Sequence, residues 1–293
     1  MDLLRLGSPG DPIARAQAGR VRALLEARPD VLACVDMVVI ESCVSPNEMR
    51  HLTGLLQESR ADAVVCPVDR LPAELPRGIV ARAFVRDRTP LYRCVSIDAT
   101  TLAGLPDSAT VVVCDRVARA QILSRYPGLN VVFEPASDEM LGHLRDGRWD
   151  AALLPADILE TASLVGLRWQ SVAMSDVIPA VGLGAVAVLV RDVPLVAHDL
   201  VHGLNDPMVT LRFRLERMFV AEFTAISDTV CTAMAGGTND HVELTGLIAE
   251  KDGRWCVRES VSGPVAQAEA MTRRLAATCT EKAEIERGCD VAR

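Results

Sequence analysis

Lysine is almost missing from this chain: Lys251 and Lys282 are the only two among 293 residues, and arginine carries nearly all of the positive charge. The skew reads first as coding bias. No cluster of cations appears anywhere, and the formal charge is -8 with a pI near 5.2. Phosphate backbones need clustered cations, so general nucleic-acid binding is not expected. Paired metal-ligand cysteines are also missing. The nine cysteines, at 34, 43, 66, 94, 114, 231, 256, 279 and 289, form no CxxC pair and no Cys/His cluster. Their odd number fits reduced thiols in a cytoplasmic protein, so neither zinc nor a disulfide framework is expected. The start, MDLLRLGSPGD, has no basic segment followed by a long apolar one, so neither a secretory signal nor a membrane span is expected. Internal repeats and low-complexity tracts are lacking as well.

What is present is the composition of an ordinary globular protein. With 49% hydrophobic and 24% charged residues, the chain can bury one large core or two to three small ones. Leu3–Leu6 reads as a strand, Gly7–Pro12 as a tight loop and Ile13–Ala27 as a helix. The helix start can receive an anion, or Asp11 or Ser8 can simply cap it. Val35–Ile40 predicts a second buried strand and Asn47–Glu58 an amphipathic helix with Leu52, Leu55 and Leu56 on one side. The stretch Ala61–Val80, ADAVVCPVDRLPAELPRGIV, organises the rest. A buried strand end there delivers Cys66, Asp69 and Arg70 to its rim, where α/β proteins place ligands. Ile79–Val85, Thr110–Val113, Val131–Phe133 and Ala151–Pro155 read as strands, with helices over Arg116–Tyr126 and Asp138–Arg145. Val177–Arg191 has strand length, and a helix opens at Leu204–Pro207. From Ala221 onward the pattern becomes strands Val242–Ala249 and Trp255–Val261 around a turn at Asp252–Gly253, then a helix Ala266–Ala277. The tail GCDVAR is expected to fray.

Several of these stretches resemble porphobilinogen deaminase, also called hydroxymethylbilane synthase. The family's ADIAVHSxKDxPxxxPxGL matches Ala61–Val80 in its scaffold letters, with Asp69 and Arg70 at the positions of its lysine and catalytic aspartate. RLGSPGDPIARAQA is similar to RIxTRxSPLALxQA, with Pro9 at the loop arginine and Asp11 at the serine. The short Glu41–Pro46 stands where the family has a longer active-site loop, and Val85–Pro90 resembles its crossing into a second domain. VCDRVARAQIL from Val113 is similar to TSSLRRQAQL, which puts Val117 and Ala118 on two cofactor-binding arginines. FEPASDEMLGHL puts Glu134 and Met140 on two more. VIPAVGLGAVAVLVR is nearly LPAVGQGALGIECR, with Leu183 in place of the glutamine, and LERMF follows LNxxxTxxxxxAERAF. Counting from Glu216-Arg217 places Ser227 on the cysteine that bears the dipyrromethane cofactor, with Cys231 the nearest thiol.

The resemblance implies an α/β fold with two periplasmic-binding-protein-like domains, an interdomain cleft and a small C-terminal α+β domain. Domain 1 would take residues 1–86 and 177–208, domain 2 residues 87–176, and the C-terminal domain 209–293. Deaminase chemistry needs a carboxylate for a cationic intermediate, arginines for acetate and propionate groups, and a thiolate for the primer. With Arg70, Pro9, Val117, Ala118, Glu134, Met140 and Ser227 at those positions, the expectation is that hydroxymethylbilane synthesis is lost and that no cofactor is carried. A cleft with Asp11, Asp69, Asp115 and Glu134 favours a small neutral, zwitterionic or amine-bearing ligand over a polycarboxylate.

Two classes of function stay open beside the family's own activity. A repurposed enzyme would use Cys66, Asp69 and Asp115 catalytically, with Ser8, Asp11, Arg70, Cys114, Arg116 and Glu134 binding the ligand. Each of the two cysteines can equally be a small buried hydrophobe, and each charged pair a solvated rim. No histidine lies near enough in sequence for a Cys-His dyad, and no metal is expected. Alternatively the chain is a non-catalytic partner-binding or regulatory protein, for which the apolar Val117, Ala118, Met140 and Leu183 would fill a retired cleft or form a contact surface. Those four are also compatible with ordinary core packing. Genuine hydroxymethylbilane synthesis is the third alternative.

Overall fold

A computed structural model describes residues 3–28, 34–40, 48–72, 74–86, 91–98, 100–134, 139–193, 196–223, 226 and 228–290. In chain order the first strands and helices are β1 (Leu3–Ser8), α1 (Pro12–Glu26), β2 (Cys34–Val39), α2 (Glu48–Gln57), β3 (Ala63–Pro67), β4 (Ile79–Arg86) and β5 (Tyr92–Ser96). Then come β6 (Thr110–Val113), α3 (Arg116–Arg125), β7 (Asn130–Phe133), α4 (Met140–Arg145), β8 (Ala151–Pro155), α5 (Ala156–Thr161) and β9 (Arg168–Ser171). The last are β10 (Ala185–Arg191), α6 (Val196–His202), α7 (Pro207–Ala221), β11 (Thr229–Gly237), β12 (His241–Glu250), β13 (Cys256–Pro264) and α8 (Ala268–Asp290). The chain divides into two compact units, Met1–Thr89 with Gly182–Thr210, and Pro90–Val181 with Leu211–Arg293. Among the described residues no helix is long and apolar enough to cross a membrane.

The first unit is built on a five-stranded sheet ordered β2-β1-β3-β10-β4. Strands β1, β2 and β3 run parallel, and β10 inserts antiparallel between β3 and β4. Apolar runs buried on both faces suit such a sheet: Ala63, Val64, Val65, Val188 and Leu189 are all fully buried. Leu6, Val21, Leu25, Val65 and Val188 form part of one core with α1 and α6. Gly182, just before β10, has φ +77°, and a Cβ on it would lie 2.4 Å from Val68 Cγ1 and 3.2 Å from the Val68 carbonyl carbon. Only glycine meets both conditions, so the first glycine of PAVGLGA sets how the turn before β10 rests on the end of β3.

The second unit holds two sheets. One is ordered β7-β6-β8-β5-β9, again three parallel strands with an antiparallel strand, here β5, before the outermost one. The other is an antiparallel meander β11-β12-β13. Its core joins Phe219, Phe223, Leu244, Ile248, Trp255 and Leu275, so α7 and α8 pack against that sheet. The protein is therefore α/β, with two five-stranded sheets of matching strand pattern and a small C-terminal sheet-and-helix layer.

Some expected elements differ. The strand read over Val177–Arg191 begins only at Ala185. Pro179 lacks an N–H for a ladder, Gln121 binds the Ile178 backbone, and Gly182 turns the chain, so Val177–Gly184 is committed elsewhere. The C-terminal helix runs to Asp290, taking in the Gly288-Cys289-Asp290 that was expected to fray. Strands β5, β9 and β11 were not expected, and the Asp252–Gly253 turn is part of a longer loop, closed by Glu250 N–H donating to Trp255 O at 3.1 Å. The helix read from Asp138 begins at Met140, and Asp138 lies outside the described residues.

Candidate functional site

In the first unit, β3 ends at Pro67 and Val68–Arg70 tighten into one turn of 3-10 helix. The Arg70 Nη1 donates to Asp11 Oδ2 at 2.7 Å and to Glu48 Oε1 at 3.0 Å. Asp11 is the N-cap of α1, its other oxygen accepting from Ala14 N at 3.0 Å, and Glu48 lies in the first turn of α2. Both carboxylates thus sit where a helix start favours negative charge, and one guanidinium ties them to the end of β3. Burial works against the charge on Arg70, but Asp11, Glu48 and Asp69 outweigh it, so its pKa rises further. The surrounding protein pushes the Asp69 carboxyl above its ordinary range, with Arg70 opposing and Asp11 and Glu48 adding to the rise.

Two other candidates of this unit are turned inward. Cys66 is 1% exposed, its Sγ lies 3.3 Å from Pro67 O, and burial pushes its thiol up to about 12. At neutral pH it is protonated, the poor state for a nucleophile. Ser8 is fully buried, with its hydroxyl 2.9 Å from Pro9 O and 3.3 Å from Ala14 O, so it fastens the β1–α1 turn.

In the second unit β6 leads through half-buried Cys114 to Asp115, the N-cap of α3. One Asp115 oxygen accepts from Ala118 N at 2.6 Å and the other accepts the Tyr92 hydroxyl. Burial raises the pKa of both groups, and each then moves the other: Asp115 raises Tyr92 further, while the Tyr92 hydrogen bond lowers Asp115. Arg116 begins α3 with its guanidinium 4.8 Å from the centre of the Phe133 ring. Glu134 extends the β6–β7 ladder, its N–H donating to Val113 O at 3.0 Å. The look-alike pairs Asp69-Arg70 and Asp115-Arg116 therefore differ: the first lies in a turn, the second caps and opens a helix.

Of the apolar residues weighed as a filled cleft, Ala118 and Met140 are core, at 0% and 2% exposure. Cys231 lies on β11 beside the C-terminal core, with its Sγ 4.0 Å from Val220 O and its thiol pushed by burial up to about 11. Ser227 lies outside the described residues. Glu48 and Tyr92, which complete the two constellations, were missed from sequence. Glu48 ends Ser45-Pro46-Asn47-Glu48, the spacing of a capping box, which was the available signal. Tyr92 offered none beyond a short alternating run.

Comparison with known proteins identifies relatives by sequence. The family model described as "Porphobilinogen deaminase, dipyromethane cofactor binding domain" matches residues 48–195. The chain is 30% identical to the porphobilinogen deaminase of Methylobacillus flagellatus over 232 residues, 78% of this chain and 74% of that one. It is 28% identical to the probable porphobilinogen deaminase of Methanocella arvoryzae over 278 residues, 91% of each. Among solved structures, an arginine transport-system periplasmic binding protein from Legionella pneumophila aligns with TM-score 0.38 at 14% identity, covering 70% of this chain and 92% of that one.

The matched model corrects the expectation that no cofactor belongs to this chain, since it describes the dipyrromethane-binding domain itself. The described residues supply groups of the kinds such a molecule uses. A dipyrromethane presents pyrrole N–H donors and carboxylates; Asp11, Glu48 and Asp69 offer acceptors, and Arg70 offers a guanidinium.

Proposed function

The chain belongs to the porphobilinogen deaminase family, and on that premise we propose that it has lost hydroxymethylbilane synthesis and carries altered small-molecule chemistry at the Arg70 cluster. The single observation behind this reading is the guanidinium of Arg70, at the position of the family motif's aspartate, held by Asp11 at 2.7 Å and Glu48 at 3.0 Å. A carboxylate there would accept pyrrole N–H groups and stabilise a developing cation; a guanidinium only donates and repels one. When bound, the dipyrromethane supplies the primer to which pyrrole units are added, and Asp11, Glu48 and Asp69 are the residues that would accept its N–H groups.

The ligand is a small zwitterionic or amine-bearing molecule. Its ammonium can take over Asp11 or Glu48, and its acidic group can take the donors of Arg70 thus released. One cation among three acidic side chains disfavours a polycarboxylate.

Turnover of porphobilinogen by the purified protein tests the loss: neither ammonia release nor porphyrin after oxidation is expected. Turnover would return the chain to hydroxymethylbilane synthase, the second reading, which the match over residues 48–195 and the 30% identical relative favour. Thermal-shift titration with 4-aminobutyrate and putrescine tests the ligand class. Stabilisation by the zwitterion that disappears in Arg70→Ala is expected, and no stabilisation by either compound refutes that class.

A further inference from the structure

Within the second unit lies a recess of ≈ 400 Å³ lined by Arg116, Arg119, Val131, Val132, Phe133 and Lys251. Its charged lining is entirely cationic, in a chain whose formal charge is -8. Three separate elements build it: the first turns of α3, the outermost strand β7, and the loop between β12 and β13.

The cations are held in place rather than scattered. Arg119 donates through Nε to Val131 O at 3.3 Å and through Nη1 to Lys251 O at 3.0 Å, so it ties the strand to the loop. The Arg116 guanidinium carbon lies over the Phe133 ring, 4.8 Å from its centre, and has no carboxylate partner among the described residues. Among the described residues the Lys251 ammonium reaches only Asp228, at 3.4 Å, with side chains 50% and 79% exposed, a pair that water and salt weaken to little. Gly253 fixes the loop. It has φ +77°, and a Cβ on it would lie 2.5 Å from Leu123 Cβ, 2.8 Å from Ser124 N and 2.9 Å from Ala120 O. Glycine alone lets the loop sit on α3, and that seat puts Lys251 at the recess.

We propose that this recess is a binding site for a small, multiply charged oxyanion, bound by Arg116, Arg119 and Lys251 above the apolar floor of Val131–Phe133. Guarding the free edge of β7 would explain Arg119 alone. It does not explain a lysine brought from another sheet, nor an unpaired guanidinium beside it. Two guanidiniums and one ammonium repel one another until an anion joins them, and forked donors suit carboxylate and phosphate oxygens alike. The site uses none of the residues of the Arg70 cluster, so it stands or falls separately from the reading above.

Isothermal titration at low ionic strength with pyrophosphate and with citrate tests it, on wild type and on Arg116→Gln and Lys251→Gln. Both changes are at exposed side chains, so folding is not at risk. Expected is binding of at least one anion with Kd below about 1 mM, about tenfold weaker in each variant. Pyrophosphate alone would assign a phosphoryl ligand, citrate alone a carboxylate ligand, and both the general oxyanion. Binding of neither, or equal affinity in wild type and variants, overturns the site.

Discussion

Replacing Gln121 with leucine should destabilise the second unit by an amount that can be worked out from two hydrogen bonds. Gln121 Nε2 donates to Ile178 O at 2.9 Å, and Ile178 N donates to Gln121 Oε1 at 2.7 Å. Both residues are sealed, at 3% and 0% exposure. The amide therefore does for Ile178 what a neighbouring strand would do, and holds the chain just before it passes into the first unit at Gly182. Leucine fills nearly the same volume and offers no polar atom. Two buried backbone groups then lose their partners at about 1–3 kcal/mol each. Burying leucine in place of an amide returns about 1–2 kcal/mol, so at the midpoints, about 4 lost against about 1.5 returned, the net loss is about 2.5 kcal/mol. At roughly 2–4 °C per kcal/mol, the transition of this unit should fall by about 5–10 °C. Urea unfolding at 25 °C reads the energy, and amide hydrogen exchange at Ile178 reads the place. Alanine is the discriminating control. It leaves room for water to re-satisfy the Ile178 groups, so Gln121→Ala should cost less than Gln121→Leu. If alanine costs more, packing and not hydrogen bonding holds this segment; if leucine changes stability by less than about 0.5 kcal/mol, the reasoning is refuted.

Thiol accessibility gives a second expectation. Exposed Cys34 should react with iodoacetamide at pH 8 before the other described cysteines, while Cys66 and Cys94, both buried with thiols pushed up to about 12, stay unmodified until unfolding. Peptide mass mapping over time checks this, and early labelling of Cys66 would reopen it as a nucleophile. A third concerns Asp62. Burial pushes its carboxyl up, but the Arg5 side chain and N–H, with Nη2 at 2.8 Å, outweigh burial and hold it below its usual value. A depressed folded pKa adds stability that is complete above the unfolded pKa of about 4 and is lost as pH falls through the folded value. With side chains 37% and 20% exposed, the pair contributes about 0.5–1 kcal/mol after screening. Denaturant midpoints of wild type and Arg5→Ala should therefore differ at pH 6 and converge towards pH 2, and a constant gap would refute the link.

What could be read from sequence follows from how local each signal is. The parallel strands β1, β3, β6 and β8 announce themselves because a strand buried on both faces is a continuous apolar run, as in Ala63–Val65 and Val111–Val113. Strands β9 and β11 do not, because Arg168–Ser171 is exposed throughout and Thr229–Gly237 ends in glycines. β9 takes its identity from a partner far along the chain, β5, and β11 from the strand that follows it, β12, with which it forms a hairpin. The motif PAVGLGA misled in the same way: its apolar letters suit a strand, yet Gln121, more than fifty residues earlier, claims the Ile178 backbone.

The candidate site divides along the same line. That Asp11 and Arg70 matter is visible in their motifs, but that Arg70 donates to both Asp11 and Glu48 depends on α1, α2 and the end of β3 converging, which no single stretch encodes. The cationic recess is the extreme case. Arg116 and Arg119 stand one helical turn apart in sequence, but Lys251 joins them only because Gly253 lets a distant loop settle on α3. A Gly253 carrying any side chain would have to lift that loop off Ala120 O and Ser124 N, taking Lys251 with it, so the third cation of the recess is in effect specified by a residue that has no side chain of its own.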